Sequence, residues 1–266
     1  MARSRPIRDL GLAVTLLTAL PVPVEMPAEG ERRDVACWFP LIGLVFGMLL
    51  AGVALMGHRF LPATASTGAV IILFALAAAT RFFHWDGLAD VADGWFVPAE
   101  RRLEVLADTH IGAFGAIVVA FAAIAQVNAV VELATTPQGA ALLVLAPLFG
   151  RTAATFSAWL GKPARPGGLG SSVMGSPSFY GLVIALMSAV LGIFVAMIVF
   201  DASLVPLMVT TAVAILLAAG VPHLIAMRFG GVTGDTMGAS VVVTETAVLV
   251  CAAAIVAILP LVGVHP

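Results

Sequence analysis

Three aspartates at regular spacing are the residues of this chain best suited to metal chemistry. Asp86, Asp90 and Asp93 stand at positions i, i+4 and i+7, so on a helix all three carboxylates would share one face. Such closely stacked like charges repel one another at neutral pH, and a hard divalent cation with oxygen ligands would hold them together. Mg²⁺ is the natural ion, because it takes one or two carboxylates and completes its shell with waters and phosphate oxygens. The pattern favours phosphoryl transfer over a solvated helix face, which would mix charges of both signs.

Two further acids lie in or beside segments rich in glycine. Asp235 stands in Gly-Val-Thr-Gly-Asp-Thr-Met-Gly, whose backbone can turn sharply and approach a ligand, although such turns are common between membrane spans. Asp108 is followed by His110 and Gly112 and could supply another ligand. The predicted metal ligands are five aspartates: Asp86, Asp90, Asp93, Asp108 and Asp235.

A histidine and two charges inside apolar segments are the other candidates. His84 has an ordinary pKa near 6.5 and could move a proton, but it could equally orient Asp86. Arg151 and Glu245 lie inside predicted spans, where a central charge costs at least ~2.5–3.5 kcal/mol on insertion scales. They could pair with each other or line a cavity; for Arg151 we favour a bidentate grip on phosphate, and for Glu245 both alternatives stay open.

The predicted catalytic residues are His84, Asp93 and Arg151. The predicted substrate contacts are His110, Arg151, Gly231, Thr233, Gly234 and Glu245.

The composition places these residues in a membrane protein. Hydrophobic residues make up 61% of the 266-residue chain and charged residues only 11%, whereas soluble domains are about 45–50% apolar. We predict an all-α, polytopic helical bundle that forms one integral-membrane catalytic domain over residues 1–266. The predicted spans are 36–57, 64–80, 113–134, 139–160, 181–200, 203–226 and 238–263.

We expect the second span to continue into the acidic motif. We expect the apolar run Leu10–Leu20 to form a short helix, either at the membrane surface or packed on the bundle, rather than a signal peptide.

Basic residues are unequally divided between the two sides of this bundle. Eleven of the thirteen Lys and Arg fall in the N-terminal segment 1–35 or in the loops after the second, fourth and sixth spans, whereas only Arg59 falls on the other side. The positive-inside rule therefore places the N-terminus and the acidic loop 81–112 in the cytoplasm. The candidate functional motifs lie at one face of the bundle. This favours an enzyme over a transporter, whose site usually lies near the midplane of the membrane. The net charge of −2 gives no nucleic-acid footprint, and a homo-oligomer stays open.

Several motifs of the chain resemble those of the cobalamin synthase family, the adenosylcobinamide-GDP ribazoletransferases. The most specific of them is His84-Trp-Asp-Gly-Leu-Ala-Asp-Val-Ala-Asp-Gly94. The others are Leu17-Thr-Ala-Leu-Pro-Val-Pro23, Phe39-Pro-Leu-Ile-Gly-Leu44, Asp108-Thr-His-Ile-Gly-Ala-Phe-Gly115, Gly150-Arg151, Gly167-Gly-Leu-Gly170, and Thr233-Gly-Asp-Thr-Met-Gly-Ala239 followed by Glu245. The chain departs from the family at Ala19 and His110, where members often have Arg.

The resemblance implies a Mg²⁺-dependent enzyme of the prokaryotic inner membrane. It would join adenosylcobinamide-GDP to α-ribazole, or its 5′-phosphate, and give adenosylcobalamin, or its 5′-phosphate, and GMP. The ribazole 3′-hydroxyl would attack the phosphorus nearest the cobinamide while metal on the aspartates neutralises the diphosphate. Two rivals stay open: a CDP-alcohol phosphotransferase of phospholipid synthesis, which shares the Asp-Gly-x-x-Ala element, and a divalent-cation transporter.

Overall fold

The computed structural model describes residues 6–24, 34–165, 173–175, 177–258 and 261, and over these residues the fold is helical with no strand. The helices in chain order are α1 (Pro6–Leu17), α2 (Phe39–Phe60), α3 (Ala65–Ala79), α4 (Phe83–Trp95), α5 (Arg102–Val105), α6 (Ala113–Leu133), α7 (Pro137–Leu143), α8 (Leu145–Leu160), α9 (Phe179–Val199), α10 (Leu204–Phe229) and α11 (Gly234–Ile258).

Seven helical segments of the described chain are long and apolar enough to cross a membrane. They are Val35–Phe60, Pro62–Ala79, Ala113–Leu133, Pro137–Leu160, Phe179–Val199, Leu204–Phe229 and Gly234–Ile258. The seven predicted spans are confirmed, and their ends agree within a few residues. Connectivity alone places the ends of the second, fourth and sixth spans at the same side of the bundle as the starts of the third, fifth and seventh.

The fourth span is the centre of the bundle. It consists of α7 and α8, and 89% of its most apolar stretch is buried, compared with 11–50% in the other spans. Close packing on α2 depends on Gly43 and Gly47, because a Cβ at either position would lie 2.3 Å from a carbonyl oxygen, that of Pro147 or Val144 respectively. These two glycines therefore let the backbones of two spans touch, as small residues do in membrane bundles.

The second span does not continue into the acidic motif, and that prediction was wrong. Arg81 and Phe82 both have positive φ, of 54° and 57°, and they separate α3 from α4. Neither residue is Gly or Asn, so the sequence contains no signal for this left-handed turn. As a result α4 is a separate helix within the segment 81–112, which was expected to be a loop.

Helix α1 agrees with one of its two predicted placements, and helix α11 starts earlier than predicted. Helix α1 packs on the bundle, the second of its two predicted placements, because Leu12, Ala13 and Leu17 are buried. Helix α11 begins at Gly234, four residues before the predicted start. Thr233 and Thr236 explain the earlier start, since each backbone N–H donates to the other residue's hydroxyl, at 2.7 and 3.2 Å. This reciprocal cap satisfies two N–H groups that a helix start leaves unpaired.

Candidate active site

The first turns of α4 and α11 lie in direct contact. A Cβ at Gly87 would lie 2.6 Å from the carbonyl oxygen of Asp235, and a Cβ at Gly238 would lie 3.2 Å from the Cα of His84. Only glycine allows this approach at Gly87, because the obstacle is backbone that cannot rotate away. The contact brings Asp235 beside the first acid of α4, Asp86.

Four of the five predicted metal ligands face one cavity at this contact. Asp86, Asp90, Asp108 and Asp235 line a cavity of about 310 Å³. Burial, followed by the charges of Asp86, Asp235, Asp93 and Asp108 in that order, raises the pKa of the half-buried Asp90 to about 7. The pKa of Asp90 therefore responds to the other four acids, although the five come from three separate segments of the chain.

Asp93 is the exception, because its carboxylate is bound by backbone. The N–H groups of Gly112 and Gly115 donate to its two oxygens, at 2.7 and 2.9 Å. These residues are the N-cap and the third residue of α6, so Asp93 caps α6 from another helix, where a negative charge is favoured. A Cβ on either glycine would lie 2.4–2.5 Å from an Asp93 oxygen. This contact explains both glycines of the Asp-Thr-His-Ile-Gly-Ala-Phe-Gly motif.

Asp108 and His110 form an exposed pair at the edge of the cavity. The Nδ1 atom of His110 lies 2.7 Å from Oδ1 of Asp108, and the His110 backbone N–H donates to the same oxygen at 3.0 Å. The hydrogen bond from His110 lowers the pKa of Asp108. His110 therefore orients Asp108, and its predicted contact with substrate stays a prediction.

The described part of the basic loop is docked beside Asp235. The Val232 N–H donates to the carbonyl of Lys162, and the Ala164 N–H donates to the carbonyl of Val232, at 2.8 and 3.0 Å. Gly231, with φ of 152°, is tightly packed against this strand-like contact. The Arg165 guanidinium exerts an attractive charge on Asp235. The rest of the loop, 166–172, lies outside the described residues.

Arg151 and Glu245 pair with each other inside the bundle, between α8 and α11. Arg151 is buried, and its guanidinium also lies over the Phe46 ring, 5.1 Å from the centroid. Both residues line a cavity of about 30 Å³ together with His84, not the cavity of the aspartates. Burial, and then the Arg151 charge, lower the pKa of His84 well below its ordinary value. The mutual ion pair weighed from the sequence is thus present, and the phosphate contact of Arg151 stays a prediction.

The acidic cavity fits a cation that is shared with a phosphorylated substrate. Its donors are carboxylate oxygens, which are the ligands that Mg²⁺ prefers. Among the described residues no group of three or more His, Cys, Asp or Glu is close enough to enclose an ion by itself. Mg²⁺ is seldom enclosed by protein alone, because it keeps waters and phosphate oxygens in its shell. An open set of carboxylates suits that mode of binding.

Three features of this site were not predicted from the sequence. They are the Gly87 contact with α11, the capping of α6 by Asp93 and the reciprocal cap of Thr233 with Thr236. Only the last had a local signal, the Thr-x-x-Thr spacing before an apolar run. Thr233, predicted as a substrate contact, is buried and occupied by this cap, whereas Gly234 is half-buried at the helix start.

Seven membrane-length helices and a carboxylate-lined cavity at one side define a polytopic membrane protein with an acidic site. This class includes enzymes that use phosphorylated substrates at the membrane surface. The chain belongs to the cobalamin-5-phosphate synthase family, whose model matches residues 9–253.

Several similar proteins share one name. The chain is 33% identical to the adenosylcobinamide-GDP ribazoletransferase of Frankia casuarinae, over 89% of this chain and 91% of that protein. It is 34% identical to the protein of that name from a Pseudomonas putida strain, over 90% and 95% of the two chains. The protein of that name from a Thermoanaerobacter species is 30% identical, over 92% and 96%. No solved structure matches the chain.

Proposed function

We propose that this protein is an adenosylcobinamide-GDP ribazoletransferase that acts at the cytoplasmic face of a prokaryotic plasma membrane. Family membership over almost the whole chain supports the activity. One observation supports the location of the site: Asp86, Asp90, Asp108 and Asp235 surround a single cavity on the side of the bundle where the basic residues concentrate. The positive-inside rule assigns that side to the cytoplasm.

The reaction is a displacement at phosphorus. A ribazole hydroxyl attacks the phosphorus nearest the cobinamide, and a P–O bond forms while the P–O bond to GMP breaks. The hydroxyl proton passes to a carboxylate of the acidic cavity. Arg165, whose charge acts on Asp235, would attract the anionic donor to this position.

Asp86, Asp90 and Asp235 are the residues that would hold Mg²⁺, with Asp108 at the edge of the cavity. Bound Mg²⁺ would neutralise the charge that develops on the diphosphate oxygens. Asp93 positions the start of α6, because both of its oxygens accept backbone hydrogen bonds. Of the five predicted ligands, Asp93 is therefore the one that we now assign to structure.

The test is product formation by purified protein in lipid nanodiscs. Adenosylcobinamide-GDP and α-ribazole should give adenosylcobalamin and GMP in equal amounts, and diacylglycerol or inositol should not replace α-ribazole. Transfer to a lipid alcohol would support the phosphotransferase of phospholipid synthesis instead. Metal flux into liposomes without substrate would support the transporter. Neither rival gains support from the family match or from the relatives described above.

A further inference from the structure

A second cavity shares the first turns of α4 and α11 with the acidic cavity. It has a volume of about 280 Å³ and lies between α1, α2, α4, α8 and α11. Phe83 and His84 contribute to it from α4, and Gly234 and Gly238 contribute from α11. An occupant of this cavity would therefore end beside Asp235 and Asp86, where the transfer is proposed.

The wall of this cavity is predominantly apolar. Its larger apolar side chains are Leu16, Leu17, Phe39, Phe83, Met237 and Val241, and the exposed Arg81, whose guanidinium donates to the Thr18 carbonyl at 3.1 Å, also lines it. Three threonines also line it, but the hydroxyls of Thr15, Thr18 and Thr80 donate to carbonyls of Gly11, Val14 and Ala77, at 2.7–3.0 Å. Their hydrogens are therefore used within the fold. A ligand with many hydrogen-bonding groups would leave several of them unsatisfied here, which is costly.

His84 is the polar group of this wall that lacks a partner. Its side chain is buried, with 4% of its surface exposed. Over the described residues its imidazole makes no hydrogen bond, and its ring contact is with its neighbour Phe83. A buried polar group without a partner is uncommon in a folded protein and calls for a ligand or a water. The cavity thus offers apolar walls, the exposed Arg81 guanidinium and one buried hydrogen-bonding group, His84, which also lines the small cavity of Arg151 and Glu245.

We propose that this cavity, which we call the base cavity, binds the aromatic base of the acceptor nucleoside. The proposal rests on the proposed function. The dimethylbenzimidazole of ribazole is flat and largely apolar, with one free ring nitrogen that His84 can bind. Guanine carries N–H donors at N1 and N2 that Arg81, which is a donor only, cannot pair. The volume corresponds to ~9 water molecules, which is far too small for a corrin ring.

The first experiment fills the base cavity from α1. Thr15→Phe adds a ring at a half-buried position, and we expect the KM for α-ribazole to rise about tenfold or more. The KM for adenosylcobinamide-GDP and the kcat at saturating α-ribazole should stay as in the wild type. The matched control is Val118→Phe, which fills an apolar cavity between α4, α6, α10 and α11 and should change neither KM. An unchanged KM for α-ribazole, or a raised KM for the donor alone, would overturn the proposal.

A second experiment uses a substitution that conserves volume and should not disturb folding. Thr15→Cys is made in a Cys251→Ala background, since Cys37 is buried, and alkylation by N-ethylmaleimide is followed over time. We expect α-ribazole and free 5,6-dimethylbenzimidazole to slow the alkylation, and GMP to leave it unchanged. A cysteine at Val118 should be alkylated at the same rate with and without these compounds. Protection by GMP, or by none of the three, would contradict the base cavity.

The two proposals fail in distinguishable ways. If the wild type releases no GMP from adenosylcobinamide-GDP and α-ribazole, the proposed function is wrong. If the wild type turns over, but Thr15→Phe keeps the wild-type KM for α-ribazole and no compound protects the cysteine of Thr15→Cys, only the base cavity is wrong.

Discussion

Asp90 is surrounded by like charge, and this has a consequence for the stability of the metal-free protein. Its pKa is raised to about 7 in the fold, whereas an unfolded chain releases this proton near pH 4. The folded state therefore holds the proton more tightly, and stability falls as the pH rises from about 4 to about 7. We predict that the Tm of protein in chelator falls over this range and that Asp90→Asn makes the dependence shallower. The control is Glu104→Gln, at an exposed carboxylate paired with Arg101. This variant should keep the wild-type pH dependence of the Tm.

Asp93 differs from Asp86 and Asp90 because its carboxylate accepts backbone hydrogen bonds from the start of α6 and does not line the acidic cavity. We predict that Asp93→Ala lowers the stability of the metal-free protein by about 1–2 kcal/mol, the usual range for a lost cap. Asp86→Ala removes an exposed carboxylate of the same face and should not lower the Tm. Thermal unfolding in chelator measures both, and equal losses in the two variants would contradict the assignment of Asp93 to structure.

The contact between α4 and α11 is the main determinant of the site at the level of elements. Gly87→Ala would place a methyl group 2.6 Å from the Asp235 carbonyl, so we expect a loss of about 1–3 kcal/mol together with a loss of turnover. Gly52→Ala, in α2, meets no atom within 4 Å and should stabilise its helix by up to about 1 kcal/mol. Thermal unfolding and GMP release test the pair. Wild-type turnover in Gly87→Ala would show that this contact does not position the acids.

The Arg151–Glu245 pair links α8 to α11 below the site. Removal of one partner leaves the other charge buried, so Arg151→Met and Glu245→Leu should each cost about 3–5 kcal/mol. The double variant should recover most of the stability, and thermal unfolding of all three measures this. If the double variant folds but releases no GMP, the pair serves turnover as well as stability. If it is no more stable than the single variants, the pair does not act as a link.

The sequence predicted the elements better than it predicted their junctions. Long apolar runs determined the seven spans, and the three aspartates with i, i+4, i+7 spacing do lie on one helix, α4. The turn at Arg81 and Phe82 was missed because its left-handed conformation has no residue preference to reveal it. The early start of α11 was missed because Gly234 and Gly238 resemble loop residues, whereas Gly238 packs closely on α4 and Thr233 and Thr236 cap the helix.

At the scale of the whole molecule, the sequence could not show which distant segments of the chain meet. Nothing in the order of residues shows that Asp235 lies beside Asp86, or that Asp93 binds the start of α6. The sequence also did not show that Arg151 lies apart from the acidic cavity. A charge within a span can either pair with another charge or line a substrate cavity. The chain thus combines a mostly apolar scaffold with one polar face, where α4, the start of α6 and the start of α11 meet.

The most direct test of this account is GMP release by wild-type and Asp90→Asn protein in lipid nanodiscs at saturating Mg²⁺. For the wild type we predict release that requires adenosylcobinamide-GDP, α-ribazole and Mg²⁺ together. For Asp90→Asn, which keeps the size of the side chain but removes its charge, we predict a fall in kcat of about 100-fold or more. Turnover of Asp90→Asn near the wild-type rate would contradict the acidic cavity as the site of transfer.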